Sequence, residues 1–284
     1  MLSISLGTLA MVVAGHQPIV PDTGRTGSGL WFSVSGKGPP IVLVHGASLD
    51  SRTLEPLAAR LAGRYRVVLP DLRSHGRSVD AIGSFSFGRD LIEVLDAVGV
   101  DRATLVGHSL GAEIVLDVAL ARPERVDRLV LIAPAVSGRP LARPPAGSEA
   151  LVIALRRGDL AAVGRALGGM PVMRLARDTA RQAEVRSIVA DNVRLFKAER
   201  RWVEPLDPPA GGRLGELRVP ILVLLGSADP TESNDAGRFV IEGAPKAVGR
   251  WLPGCGHLVP IDCLEDTATA IWGFLEEPAN RNQD

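Results

Sequence analysis

The chain has 284 residues, 46% hydrophobic and 23% charged, with 32 basic and 32 acidic side chains and a formal net charge of zero. That length suits one large α/β domain, alone or with an insertion, and the balanced charge gives no electrostatic footprint for nucleic acid or a charged membrane surface. Two cysteines, Cys255 and Cys263, do not make a disulfide framework, so a cytoplasmic setting is the default expectation.

Met1 to Ala14 is apolar like the core of a signal peptide, but no basic residue precedes Arg25 and the run is too short to span a bilayer. It reads as an extra strand or a loosely held arm, with export as the alternative, and residues 1–28 are set apart as an N-terminal arm. Strand and helix patterns then alternate: strands at Leu30–Ser35 and Ile41–Val44, a helix at Thr53–Ala62, a strand at Tyr65–Leu69, and an amphipathic helix at Phe87–Val98 with Leu91, Ile92, Val94, Leu95 and Val98 on one side. A strand at Ala103–Val106, a helix at Ala112–Ala121 and a strand at Arg128–Ile132 follow. Such alternation with apolar strands predicts a mainly parallel sheet covered on both faces.

The alternation breaks after Ala133. Pro140, Pro144 and Pro145 punctuate the entry to a helical stretch, Leu151–Leu167 and Thr179–Phe196, and Pro205, Pro208 and Pro209 punctuate its exit. Residues 135–217 are therefore read as a helical lid between two core segments, 29–134 and 218–284. Its basic residues outnumber its acidic ones, which reads as a solvated helix face before it reads as attraction of an anionic substrate. Leu167, Met170, Met173, Leu175, Phe196 and Trp202 read as the lid's own core before they read as a substrate pocket. Strands at Pro220–Leu225 and Ala247–Leu252 and a helix at Leu264–Leu275 close the chain.

Gly107-His108-Ser109-Leu110-Gly111 sits between the Ala103–Val106 strand and the helix after it. A G-x-S-x-G pentapeptide in that context is a sharp turn that lifts a serine hydroxyl out of the backbone, with glycines where side chains would collide. A serine needs a base in hydrogen-bond reach and an orienting acid behind the base. Of five histidines, His257 lies in a loop after the last strand, on the sheet edge that Ser109 occupies. His108 is expected to point elsewhere on so tight a turn. Asp229 follows the Pro220–Leu225 strand directly, while the other strand end, Ala133-Pro134-Ala135, offers no acid. Alone, Asp229 fits a turn or cap residue and His257 a structural loop histidine; the order Ser, Asp, His joins them. The oxyanion donors are expected to be the N–H groups of Leu110 and of Ala47, in the turn after Val42–His45. Cys255 is a poor nucleophile candidate, because it precedes the base on the same loop. There is no H-E-x-x-H pattern, no zinc-spaced Cys/His cluster and no nucleotide-binding glycine loop, so no metal or cofactor is expected.

From Leu30 to Leu275, apart from the lid, the chain resembles the α/β-hydrolase fold family, in its small lid-bearing esterase, lactonase and C–C hydrolase branch. Val42–Gly46 is similar to the family's strand and H-G turn, and Asp71–Ser78 to its D-x-R-G-x-G-x-S loop, with Ser74 in place of a glycine. Gly107–Gly111 matches the nucleophile elbow, Asp229 the acid and His257 the base; Asp262 stands where the family usually has Glu, and Cys263 and Leu264 where Gln-Pro is common. Serine at 109 sets the chain apart from the aspartate-nucleophile epoxide hydrolases and dehalogenases, and Leu258 after the base stands where meta-cleavage C–C hydrolases often carry Trp. The resemblance implies a mainly parallel sheet flanked by helices and a Ser109-His257-Asp229 hydrolase, monomeric or homodimeric, acting on a small-molecule acyl substrate: a carboxylic ester, lactone or related bond. C–C bond hydrolysis, acyl transfer or cyclisation with the same residues, and a ligand-binding receptor on the same fold, stand as alternatives.

Overall fold

A computed structural model describes residues 21–139, 145–197, 202–229 and 231–277. Its centre is one eight-stranded sheet in the order β1-β2-β4-β3-β5-β6-β7-β8. The strands are β1 (Asp22–Arg25), β2 (Trp31–Ser35), β3 (Pro40–Val44), β4 (Arg66–Pro70), β5 (Ala103–His108), β6 (Val126–Ile132), β7 (Ile221–Gly226) and β8 (Ala247–Leu252). β1 and β2 pair antiparallel, and every pairing from β4 to β8 is parallel. Within the stretch read as an arm, Asp22–Arg25 is therefore an edge strand; Met1–Ala14 lies outside the described residues.

The period-2 alternation of the parallel strands divides the core into two layers. Val42, Val44, Leu105, Leu129, Leu131 and Val223 face a cluster with α2 (Phe87–Ala97), α3 (Leu110–Ala121) and α7 (Thr231–Gly243). Ile41, Leu43, Val106, Val130, Ile132 and Leu222 face the opposite cluster, with α1 (Glu55–Leu61) and α9 (Leu264–Glu276). α7, the crossover from β7 to β8, was not foreseen.

Between β6 and β7 the chain forms the helical insertion: α4 (Ser148–Arg156), α5 (Leu160–Gly169) and α6 (Gln182–Asp191). The single helix expected over Leu151–Leu167 is two, because the chain turns at Gly158, where φ is +66°, and Asp159 caps α5 by accepting from the Ala162 N–H at 2.9 Å. A third apolar cluster joins Val163, Leu167, Met173, Leu175, Val185 and Ile188 of the insertion to Leu49, Leu258 and Ile261 of the core, so the insertion and the sheet domain share buried surface. The reading of the cysteines needs correction: Cys255 and Cys263 form a disulfide across eight residues, because the turn through α8 (Val259–Asp262) brings their Cα atoms to 6.0 Å.

Candidate active site

Ser109 occupies the junction of β5 and α3 with φ 53° and ψ −113°, a backbone that L-residues rarely adopt. The close packing around it explains the glycines. A Cβ on Gly107 would meet the Gly111 carbonyl oxygen at 2.2 Å, and one on Gly111 would meet the Val44 carbonyl oxygen at 2.2 Å. The second glycine is thus required by the end of β3 and not by a clash with the first.

His257 lies in the loop after β8, 9% exposed, and its Nε2 is 3.1 Å from Ser109 Oγ. Its Nδ1 is 2.9 Å from Oδ2 of Asp229, whose side chain has no exposed surface. Asp229 follows β7 directly, so three strand ends on one edge of the sheet deliver the three side chains. The other carboxylate oxygen of Asp229 has no hydrogen-bond partner among the described residues, so its hydrogen bonding within them is spent on the imidazole.

The Gly46–Ala47 turn abuts this group: a Cβ on Gly46 would lie 3.3 Å from Ser109 Cβ. Two buried imidazoles hold the turn. His45 Nδ1 donates to the Gly46 carbonyl at 2.9 Å while its Nε2 accepts the Leu72 N–H at 3.0 Å. His75 Nδ1 donates to the Arg73 carbonyl at 2.8 Å, and its Nε2 accepts the Ser48 N–H at 3.2 Å. These partners fix the neutral Nδ1–H tautomer of both rings. Burial pushes His45 below the ordinary histidine range against the pull of Asp71, and burial with the neighbouring His45 pushes His75 down to about 3. Leu110, the first residue of α3, has its N–H at a helix start, where no intrahelical carbonyl reaches it.

The serine in place of glycine at 74 is accommodated: Ser74 takes φ 63°, and its Oγ accepts the Ala81 N–H at 2.9 Å, tying the loop to itself. His108 turns away from Ser109 but is not idle. Its Nε2 donates to the backbone carbonyl of His257 at 3.0 Å, and burial, with the nearby His257, pushes it down to about 3. Asp262 accepts the N–H of Gly256, the residue before His257, at 2.7 Å. Neither link is visible in the sequence, since each joins a side chain to a distant or irregular stretch of backbone.

Beside the elbow, between α2, α3 and residues 203–207, lies a cavity of about 390 Å³ lined by Phe87, Ile92, Leu110, Ile114, Val203 and Leu206, among others. Glu113 and Asp117 also line it. Burial and the neighbouring Asp117 push Glu113 up to about 7; burial pushes Asp117 up to about 6, against the Ser137 hydroxyl and Arg213.

A family model described as the alpha/beta hydrolase family matches residues 41–270. A 2-hydroxy-6-oxononadienedioate/2-hydroxy-6-oxononatrienedioate hydrolase of Pseudomonas putida is 30% identical over 269 residues, covering 87% of this chain and 91% of that protein. An esterase from Rhodococcus sp. ECU1013 superposes with a TM-score of 0.76 at 25% identity, covering 90% of this chain and 98% of that one. The enol-lactonase of Burkholderia xenovorans LB400 superposes with a TM-score of 0.70 at 22% identity, covering 90% and 100%, a likeness of fold. The chain spans about two fifths of the length of other curated relatives that it matches, 38% of three and 40% of a fourth.

Proposed function

The chain belongs to the alpha/beta hydrolase family, and within that family of enzymes we propose a serine hydrolase that cleaves a carboxylic ester, lactone or related acyl bond through an acyl-enzyme. The observation that carries this reading is the hydrogen-bonded chain from Ser109 Oγ through His257 to Asp229, 3.1 Å and 2.9 Å, at a serine held on a positive-φ turn. Ser109 Oγ attacks the carbonyl carbon while His257 Nε2 accepts its proton. Asp229 holds the proton of the ring on Nδ1 and balances the imidazolium that forms. The oxyanion is held by the N–H of Leu110 and the N–H of Ala47, one residue before the Ser48 N–H that His75 occupies. His257 returns the proton to the leaving group, and water, activated by the same imidazole, releases the acid. In this reading residues 135–217 act as the lid over the site.

Ser109→Ala is expected to lower turnover of short p-nitrophenyl esters by about 10⁴-fold or more and to abolish labelling by a fluorophosphonate; turnover unchanged in that variant would falsify the assignment. The Pseudomonas putida relative favours a second reading, in which the same serine serves a hydrolase of an oxo-dienedioate. Comparing kcat/KM across p-nitrophenyl esters, lactones and 2-hydroxy-6-oxo-dienoates separates the two.

A further inference from the structure

We propose that Asp262 is a positioning residue that ties the seat of the helical insertion to the loop carrying His257, so that the base is in register with Ser109 only while the insertion is docked. This rests on the reading of His257 as the base.

The Asp262 side chain lies five residues after the imidazole and does not touch it. It is 4% exposed, and its two oxygens accept four backbone N–H groups. Oδ2 takes Gly256 at 2.7 Å and Ala176 at 3.0 Å, and Oδ1 takes Arg177 at 2.6 Å and Asp178 at 3.0 Å. One donor is the N–H of Gly256, the residue before His257, and the other three are consecutive N–H groups of the insertion, between the α5 and α6 helices. A carboxylate has about four lone-pair sites, so this one is filled by backbone alone.

Burial works to raise the pKa of Asp262 toward the neutral form, yet the four N–H groups hold that pKa below the ordinary carboxylate range, which keeps the side chain a full acceptor. Gly256 shows how closely the two segments approach: a Cβ there would stand 3.1 Å from the Arg174 carbonyl oxygen. On the other side of the base, His108 Nε2 holds the His257 carbonyl at 3.0 Å. The carbonyl of His257 is therefore held by the elbow strand and the N–H of the preceding residue by Asp262, and only the second hold shares its carboxylate with the insertion. Leu175 of the insertion and Leu258 and Ile261 of the core belong to one buried apolar cluster and supply the apolar part of the same seat.

The chemistry predicts how substitutions differ. An amide has one acceptor oxygen, so Asp262→Asn loses about half of the acceptor sites and turns an N–H₂ toward N–H donors. Asp262→Glu keeps both oxygens and the charge. With p-nitrophenyl acetate, and active sites counted by fluorophosphonate titration, Asp262→Asn is expected to lower kcat per titrated site by about 10–100-fold, the scale of an ångström-sized misplacement. The acid limb of its kcat/KM profile should move, and Asp262→Glu should recover most of the loss. A carboxylate that only stabilises the fold would lower the number of titrated sites and the melting temperature while leaving kcat per site and the pH profile unchanged, and that result overturns the proposal.

Amide hydrogen exchange on the wild-type protein reads the clamp without any catalysis. The amides of Ala176, Arg177, Asp178 and Gly256 should open as one unit; Gly256 exchanging independently of the other three overturns the proposal whether or not the Asn variant folds. Absence of esterase activity and of fluorophosphonate labelling in the wild type would sink the Ser109 reading instead, with the exchange result still deciding the clamp.

Discussion

Ser109 holds its hydroxyl out on a backbone that costs about 1–3 kcal/mol for a residue with a Cβ. Glycine relieves that cost, so Ser109→Gly is expected to raise the unfolding free energy by about 1 kcal/mol while Ser109→Ala does not; urea unfolding of the two variants checks it, and equal stability would show that the turn is unstrained. Much of this scale was legible in the sequence. The serine, the histidine and the aspartate that the structure draws together were each picked from strand ends. The reason for Gly111 was not legible, because its neighbours at Val44 and His45 come from another strand. Asp262 showed only as an aspartate where the resemblance leads one to expect glutamate; its four donors lie six residues back and more than eighty residues back in the chain, at positions with no side-chain signature.

Among the elements, α3 carries the sharpest conflict between sequence and surroundings. It starts at the elbow and lays Glu113 and Asp117, one turn apart, along a cavity with apolar walls. Glu113 moves from its ordinary 4.5 to about 7, so the folded state binds the proton more tightly than the unfolded chain. The associated stability is complete below the unfolded value and is lost as pH rises through about 7; Asp117, raised to about 6, acts in the same sense. Thermal melts at pH 5 and pH 8 should show wild type losing on the order of 1–3 kcal/mol more than Glu113→Gln between them, and parallel slopes for the two proteins would refute this. The seven strands expected from apolar runs all occur; the five central ones, β3 to β7, are buried almost throughout and leave a nearly continuous hydrophobic signal. α7 gave no such signal: it buries Ala236 and Val240, but its first five residues, Thr231–Asp235, are all polar, so no apolar run opens it. The α4–α5 break hinged on Gly158, whose positive φ is a property of the turn and not of the composition around it.

For the whole molecule, the third apolar cluster decides how the insertion behaves. Leu49, Leu258 and Ile261 from the sheet domain are buried together with Val163, Leu167, Val185 and Ile188 of the insertion, so neither side keeps its buried surface when the other unfolds. The described residues are expected to melt in one cooperative transition, and Ile188→Ala to lower the stability of that single transition by about 2–5 kcal/mol. A separate early transition in calorimetry, deepened by that substitution, would show that the insertion folds on its own. The disulfide belongs to this scale as well: two cysteines eight residues apart carry no spatial information until the α8 turn folds them together, which is why a reading based on number alone missed it.

The buried imidazoles have a spectroscopic consequence. Burial holds His45 below the ordinary histidine range and His75 and His108 down at about 3, so proton NMR between pH 5 and pH 8 contains no titration from the His75 and His108 rings, and their unchanging signals report the packing of the turn and the elbow directly.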